Sequence, residues 1–269
     1  MFTMMNLVQP ATLDEAYEIL IKNKNNTILG GCGYLKMGSK KISTGIELSK
    51  LNLAYIKEEN GFVEIGAYTT LRDLETSPVL NKHFNGVLAK SVADLIGVQF
   101  RSIATAGASV FSKYGFSDPL TALLVLDCEV ELFKGGRMSL EEFLARPYEK
   151  DILVRIFLKA DGRKAVYSNF RNAACDYSLL NVSVSKLDDD FIIVVGARPT
   201  TARIAKRASA LISGKGLESS ADENLMAEAA NLAQEELNFG TNMRGTKEYR
   251  ENLCRVLVKR AIKEVLSCK

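Results

Sequence analysis

The residues most able to carry nucleophilic or metal chemistry are the one histidine, His83, and five cysteines: Cys32, Cys128, Cys175, Cys254 and Cys268. Their spacing supports neither chemistry. No C-x-x-C pair occurs, and a lone histidine gives no zinc, iron–sulfur or Ser/Cys–His arrangement. His83 reads as a surface helix residue. A different kind of site is written in ILGGCGYL, Ile28–Leu35, where three of four successive positions are glycine, and in ATAGAS, Ala104–Ser109. Glycine at that density marks a turn or a place where something packs directly on the main chain. Successive unblocked N–H groups form an anion-binding concavity, so the first loop reads either as a phosphate cradle or as a purely structural turn. No G-K-[ST] follows it, and the G-x-G-x-x-G spacing fails, so neither a Walker nor a Rossmann motif is present. Cys32 reads as a small residue filling a tight turn, the alternative being a thiol activated by neighbouring N–H groups.

These loops sit in a chain of 269 residues, 47% hydrophobic and 25% charged, which is enough for two domains with a sizeable core. The net charge of +3 arises from 35 basic and 32 acidic residues interspersed along the chain, a pattern that argues against nucleic-acid or membrane binding. An odd number of scattered cysteines argues against a disulfide framework. No apolar run is long enough to span a membrane and no basic leader precedes the apolar start, so a cytoplasmic location is expected.

The elements that position the loops can be read in order. Thr12 and Glu15, with Ala16, Ile19 and Leu20 at helical spacing, predict a capped amphipathic helix. NTILGG gives a short strand running into the glycine loop, and EENG marks a turn between two strands. LRDLETSPVLNKHF reads as helical, NGVLAKSVADLIG as a helix closed by Gly97, LTALLVLD as a helix and CEVELFKGG as a strand. From about Ile152, the segments ILVRIFLK, KAVYSNFR, CDYSLLNVSVSKL and DFIIVVGA read as successive strands of an antiparallel meander. TARIAKRASALISG and NLMAEAANLAQEEL read as helices. A last helix carries Leu253, Val256, Leu257, Ile262 and Val265 on its apolar face.

This ordered set resembles the flavin-binding subunit of the molybdopterin-dependent hydroxylases, the family of xanthine dehydrogenases, molybdenum carbon monoxide dehydrogenases and aldehyde- or nicotinate-oxidising relatives. Members carry an A-G-G-[TH]-[DS]-L loop and a T-[IV]-G-G-[NS] loop. The first aligns with Gly30, Gly31, Cys32, Gly33, Tyr34 and Leu35, preceded by Leu29, and the second with Thr105, Ala106, Gly107, Ala108 and Ser109. GAYTTLRDLETSPV, SDPLTALLVLDCEVEL and YSLLNVSVS extend the resemblance over essentially the whole chain.

The resemblance implies that both loops hold the pyrophosphate and ribityl parts of non-covalently bound FAD, with Gly31 and Gly107 at positions of close approach to the cofactor. It implies that Asp118 accepts a hydrogen bond from a flavin sugar-chain hydroxyl, its other role being to start the following helix. Ile152 and Leu153 are implied to lie near the isoalloxazine. Cys32, Gly33, Tyr34 and Ala108 depart from the family pattern, and Cys32 and Ala108 each add a Cβ where the cofactor would approach backbone. The implied fold is α+β: a two-lobed FAD-binding domain over residues 1–160, with lobes of about 1–55 and 56–160, then a C-terminal antiparallel-sheet-plus-helices domain over 161–269. This chain is implied to carry no metal and no catalytic side chain of its own. Its implied partners are an iron–sulfur small subunit and a molybdopterin-binding large subunit, with NAD or another acceptor receiving the electrons. The altered loops suggest a second reading, a non-enzymatic assembly subunit of the same fold that has lost the flavin.

Overall fold

The computed structural model describes residues 1–217 and 222–268. The first lobe contains β1 (Thr3–Val8), α1 (Leu13–Lys22), β2 (Thr27–Leu29) and β3 (Lys41–Glu47), and its strands form a parallel sheet in the order β1-β3-β2. Thr12 caps α1 by accepting from the Glu15 N–H, while the Glu15 carboxylate accepts from the Ala11 N–H, one residue before the cap. Ala16 and Leu20 of α1 pack on Ile46 and Leu48, and the small core is completed by Ile152 and Val154 from far along the chain.

The second lobe adds β4 (Ile56–Glu59), β5 (Phe62–Gly66), α2 (Leu71–Thr76), α3 (Pro78–Lys82), α4 (Val87–Val92), α5 (Val98–Arg101), α6 (Ala106–Phe111), α7 (Asp118–Leu124), β6 (Cys128–Leu132), β7 (Gly136–Ser139), α8 (Leu140–Ala145) and β8 (Leu153–Lys159). The helical stretch LRDLETSPVLNKHF breaks in two because Pro78 has no N–H and starts a new helix that Ser77 caps. His83 is the C-terminal cap of α3 rather than a helix-surface residue, largely buried with Nε2 3.1 Å from a Glu58 carboxylate oxygen. Gly97 is not a helix C′ residue but extended backbone leading into α5.

One strand lies in a different sheet from the one expected. ILVRIFLK is not the first strand of the C-terminal meander; as β8 it is the central strand of a five-stranded antiparallel sheet, β4-β5-β8-β6-β7. Strand content and apolar character cannot distinguish these sheets, because pairing partners are set by long-range register.

The remaining chain forms β9 (Lys164–Phe170), β10 (Leu180–Leu187), β11 (Asp190–Gly196) and β12 (Arg203–Ile204), an antiparallel sheet in the order β12-β11-β10-β9, with α9 (Lys206–Ile212), α10 (Glu223–Glu236) and α11 (Lys247–Ser267). This sheet is buried on both faces. Val166, Val182, Val184, Ile193 and Val195 face the helices, whereas Ala165, Tyr167 and Val194 join the core of the second lobe. The buried face of α11 runs through Cys254, Leu257, Val258, Ala261, Ile262 and Val265, rotated from the expected stripe so that Val256 is 44% exposed. Small residues, Cys254 and Ala261, mark that face and let the helix approach the sheet closely.

Because Ile156 is the fully buried midpoint of β8, Ile156→Ala should destabilise the protein by about 2–5 kcal/mol in urea unfolding. Hydrogen exchange should accelerate in β5 and β6, its hydrogen-bonded neighbours, before it does in β10. Equal or earlier exchange in β10 would contradict the sheet assignment.

Candidate functional site

The glycine loop after β2 lies against the segment 100–108 of the second lobe, with no room for side chains between them. A Cβ on Gly30 would lie 2.4 Å from the Ala108 Cβ, one on Gly31 only 1.7 Å from the Ile103 carbonyl oxygen, and one on Gly33 2.3 Å from the Phe100 ring. Gly31 also has φ +81°, a conformation that suits glycine. The neighbour that requires bare backbone at Gly31 is thus the protein itself, which corrects the expectation that this glycine is bare for a ligand. Gly107 behaves similarly, since a Cβ there would meet the Ala67 carbonyl oxygen at 2.6 Å. The Ala108 methyl, expected to intrude on a cofactor, is accommodated in the space that Gly30 leaves.

The two loops differ in what their N–H groups bond to. In the second, the Ala106 N–H donates to the Thr69 carbonyl, Gly107 to Ala67, Ser109 to the Thr105 carbonyl, and Ala108 to the Thr105 side-chain oxygen, the N-cap of α6. In the first, the N–H groups of Cys32, Gly33, Tyr34 and Leu35 make no hydrogen bond among the described residues. Orphan N–H groups in succession need an acceptor or water, and a run of them suits an anion. Of the two loops, the first is therefore the one with a run of N–H groups free for an anion.

These residues border a cleft of about 390 Å³ between the lobes. Leu29, Gly30, Cys32, Gly33, Tyr34 and Leu35 line it from the first loop, Thr105, Gly107, Ala108 and Ser109 from the second, and Asp118, Ile152 and Leu153 from further along the chain; Gly31 is not among its walls. Ile152 and Leu153 are buried and also belong to the cores beneath the cleft. Lys40 is the one cationic side chain on the cleft wall among the described residues. Burial pushes the Cys32 thiol up, away from the thiolate a nucleophile needs, so the small turn-filling role is the one the site fits.

Asp118 is fully buried at the first turn of α7. Its Oδ1 accepts from Tyr167 Oη at 2.6 Å, from Asn181 Nδ2 at 2.6 Å and from Ser178 Oγ, all supplied by the C-terminal part of the chain. Its Oδ2 accepts no hydrogen bond, although buried. Burial pushes the Asp118 carboxyl up, and the three hydrogen bonds and the Arg171 charge offset only part of that. Asp118 borders the cleft, and its Oδ2 is a buried acceptor without a hydrogen-bond partner, a group whose cost of burial a ligand donor would offset.

An aromatic wall went unrecognised in the sequence. Tyr34 packs 4.6 Å from Tyr114 and 4.9 Å from Phe116, and Phe116 lies 4.8 Å from Tyr177, measured between ring centroids. All four line the cleft. Tyr177 is pushed up to about 12 by burial, so it presents a neutral ring at physiological pH. Tyr114 and Phe116 flank Gly115 in the sequence, and nothing local joins them to Tyr34 or Tyr177.

Paired lobes, a loop with open N–H groups, an unpartnered buried acceptor and an aromatic wall together make a cleft suited to a phosphate-bearing aromatic cofactor. Residues 3–159 match the FAD binding domain in molybdopterin dehydrogenase, and residues 165–265 match the CO dehydrogenase flavoprotein C-terminal domain. The chain belongs to this FAD-binding flavoprotein family of oxidoreductases, and its fold is that of the family. It is 26% identical to the nicotine 6-hydroxylase medium subunit of Paenarthrobacter nicotinovorans, over 95% of this chain and 95% of that protein. It is 24% identical to the glyceraldehyde dehydrogenase medium chain of Sulfolobus acidocaldarius, over 96% of this chain and 97% of that protein. Among solved structures, quinoline 2-oxidoreductase from Pseudomonas putida 86 superposes with a TM-score of 0.87 at 21% identity, covering 98% of this chain and 97% of that one. Reconstituted CO dehydrogenase from Oligotropha carboxidovorans gives 0.88 at 20% identity, covering 98% of each. No metal-holding group of His, Cys, Asp and Glu occurs among the described residues, and no helix there is long and apolar enough to cross a membrane.

Gly31→Val should lower apoprotein stability by about 3 kcal/mol or more, through positive φ and the collision with Ile103, which thermal melting without ligand will read. Gly30→Ala should cost about 1–3 kcal/mol, and combining it with Ala108→Gly should recover a large part of that loss. A purely additive double-mutant cycle would show that the two loops are not in contact.

Proposed function

We propose that this chain is the FAD-carrying electron-transfer subunit of a molybdenum hydroxylase or dehydrogenase complex. In this reading an organic substrate is oxidised at a molybdopterin centre on a large subunit. Electrons pass through iron–sulfur clusters on a small subunit, and this subunit delivers them to NAD or another acceptor. The observation that carries the proposal is the cleft itself, with the unpaired N–H groups of Cys32–Leu35 at one wall and Asp118, whose Oδ2 has no hydrogen-bond partner, bordering it at another. Neither glycine loop contains an Arg or Lys to meet two phosphate charges, so the N–H groups of the first loop, with Lys40 on the wall, are the groups available for the pyrophosphate. Asp118 would accept from a sugar-chain hydroxyl. Ile152, Leu153 and the Tyr34–Tyr114–Phe116–Tyr177 wall would hold the ring system against apolar and aromatic side chains. FAD, when bound, supplies the electron and hydride transfer, so the protein's task is to bind and orient it.

The relatives named as medium subunits or chains support a hetero-oligomeric setting. Division of the chain near residue 160 into a cofactor-binding and a C-terminal domain is part of the same reading, and the two family matches meet close to that point.

Saturating FAD at about 100 times its dissociation constant should add about 2.7 kcal/mol to the stability of the folded protein, read as a rise in melting temperature with flavin released on acid denaturation. Absence of both would favour the flavin-free assembly subunit. Co-expression with candidate partner subunits, followed by affinity purification and metal analysis, should recover iron and molybdenum with this chain. Full substrate-dependent acceptor reduction by the chain alone, with neither metal present, would overturn the assembly.

A further inference from the structure

Arg171 lies in the turn after β9, with a side chain only 6% exposed. Its guanidinium lies between two carboxylates, Nη2 at 3.6 Å from Asp118 Oδ2 and Nη1 at 3.6 Å from Asp94 Oδ2. Asp94 is 71% exposed and solvated, so the buried partner is Asp118. Arg171 Nε and Nη2 make no hydrogen bond, and neither does Asp118 Oδ2. Two buried groups of opposite charge therefore face each other just beyond hydrogen-bond distance, and Arg171, unlike Asp118, does not line the cleft.

We infer that Arg171 is a positioning residue for the cofactor site, holding the Asp118 carboxylate ionised from behind so that Oδ2 stays an open acceptor for a ligand hydroxyl. The inference rests on the flavin reading above. A guanidinium is suited to the task because it stays charged at any physiological pH and is more weakly hydrated than an ammonium, so its burial is less costly. Without it, a carboxylate out of water favours the protonated form, and a protonated Oδ2 donates where the ligand hydroxyl also donates. The other groups facing this pair are the Tyr167 hydroxyl from β9, Ser178 and Asn181, and Tyr177. Asp176 also faces Arg171 and is itself paired with Arg244. None of them replaces the positive charge of Arg171 at Oδ2.

The sign follows from linkage. Burial already raises the Asp118 carboxyl, so binding that needs the ionised form is full at high pH and is lost as pH falls through the raised value. Removing Arg171 raises that value further and moves the loss to higher pH. FAD affinity is therefore measured by flavin fluorescence quenching between about pH 5 and 8.5, for wild type, R171Q, R171K and D118N, with apoprotein melting followed in parallel. The midpoint of the affinity profile should move up by about one pH unit in R171Q, return to the wild-type position in R171K, and vanish in D118N, which has nothing to titrate. An unchanged R171Q midpoint, or a uniform weakening without displacement, overturns the inference. If R171Q does not fold, a displaced midpoint in the charge-retaining R171K does so. Wild type that binds no FAD at any pH would instead defeat the flavin reading itself.

Discussion

The structure depends on the bare backbone of one lobe packing directly on the other lobe. Gly30, Gly31 and Gly33 bring the loop after β2 directly onto Phe100, Ile103 and Ala108, and any side chain at those glycines would push the lobes apart. The second loop can serve as the anvil because it is tied down: Ala106 and Gly107 donate to the carbonyls of Thr69 and Ala67, and Thr70 bridges Thr105. That anchoring uses its N–H groups. The first loop is held through van der Waals contact at its α-carbons instead, and so keeps its N–H groups open. One contact thus sets both the width of the cleft and the side from which an anion can be bound.

A second constraint crosses from the C-terminal sheet to the cleft. Tyr167 of β9, Asn181 of β10 and Ser178 just before it donate to the same oxygen of Asp118, on α7 of the second lobe. Thr121, one turn along α7, donates to the Asn181 side-chain carbonyl at 2.8 Å, and Ser185 Oγ donates to the Val125 carbonyl at 2.7 Å. Buried polar networks of this kind contribute little net stability when satisfied and cost a great deal when broken, so they fix one relative placement of the packed parts. The C-terminal sheet is in this sense part of the site, since it orients Asp118 through Oδ1 and leaves Oδ2 without a hydrogen-bond partner.

Much of the architecture was legible because it is local. The cap at Thr12, the strand into the glycine loop, the turn at Asn60–Gly61, the helix through LTALLVLD and the long C-terminal helix are each set by propensity, capping or period within a short window. The family motifs fall along the cleft, most of their residues lining it and Gly31 and Ala106 lying behind its walls, because those residue types recur in order along the chain. What the loops pack against was not legible, since Gly31 looks alike whether its neighbour is a ligand or the Ile103 carbonyl. Nor was the aromatic wall, whose members come from positions 34, 114, 116 and 177.

The alternation in NVSVSK shows where the division falls. Period-two patterning establishes that Val182 and Val184 share one face and Asn181, Ser183 and Ser185 the other, and by itself it predicts that the polar face meets water. In the structure those polar residues are fully buried, and Asn181 and Ser185 bond across to α7 and to Asp118. The sequence by itself determined the capped first helix, the strand into the glycine loop, the two faces of β10 and the family, because backbone sterics, hydrogen-bonding period and motif order act within short windows. Tertiary structure alone decided that β8 joins the first sheet, that the serine face is an interface, and which loop keeps its N–H groups. Each depends on which partner, far away in the chain, occupies the space and the hydrogen-bonding capacity that a local sequence leaves open.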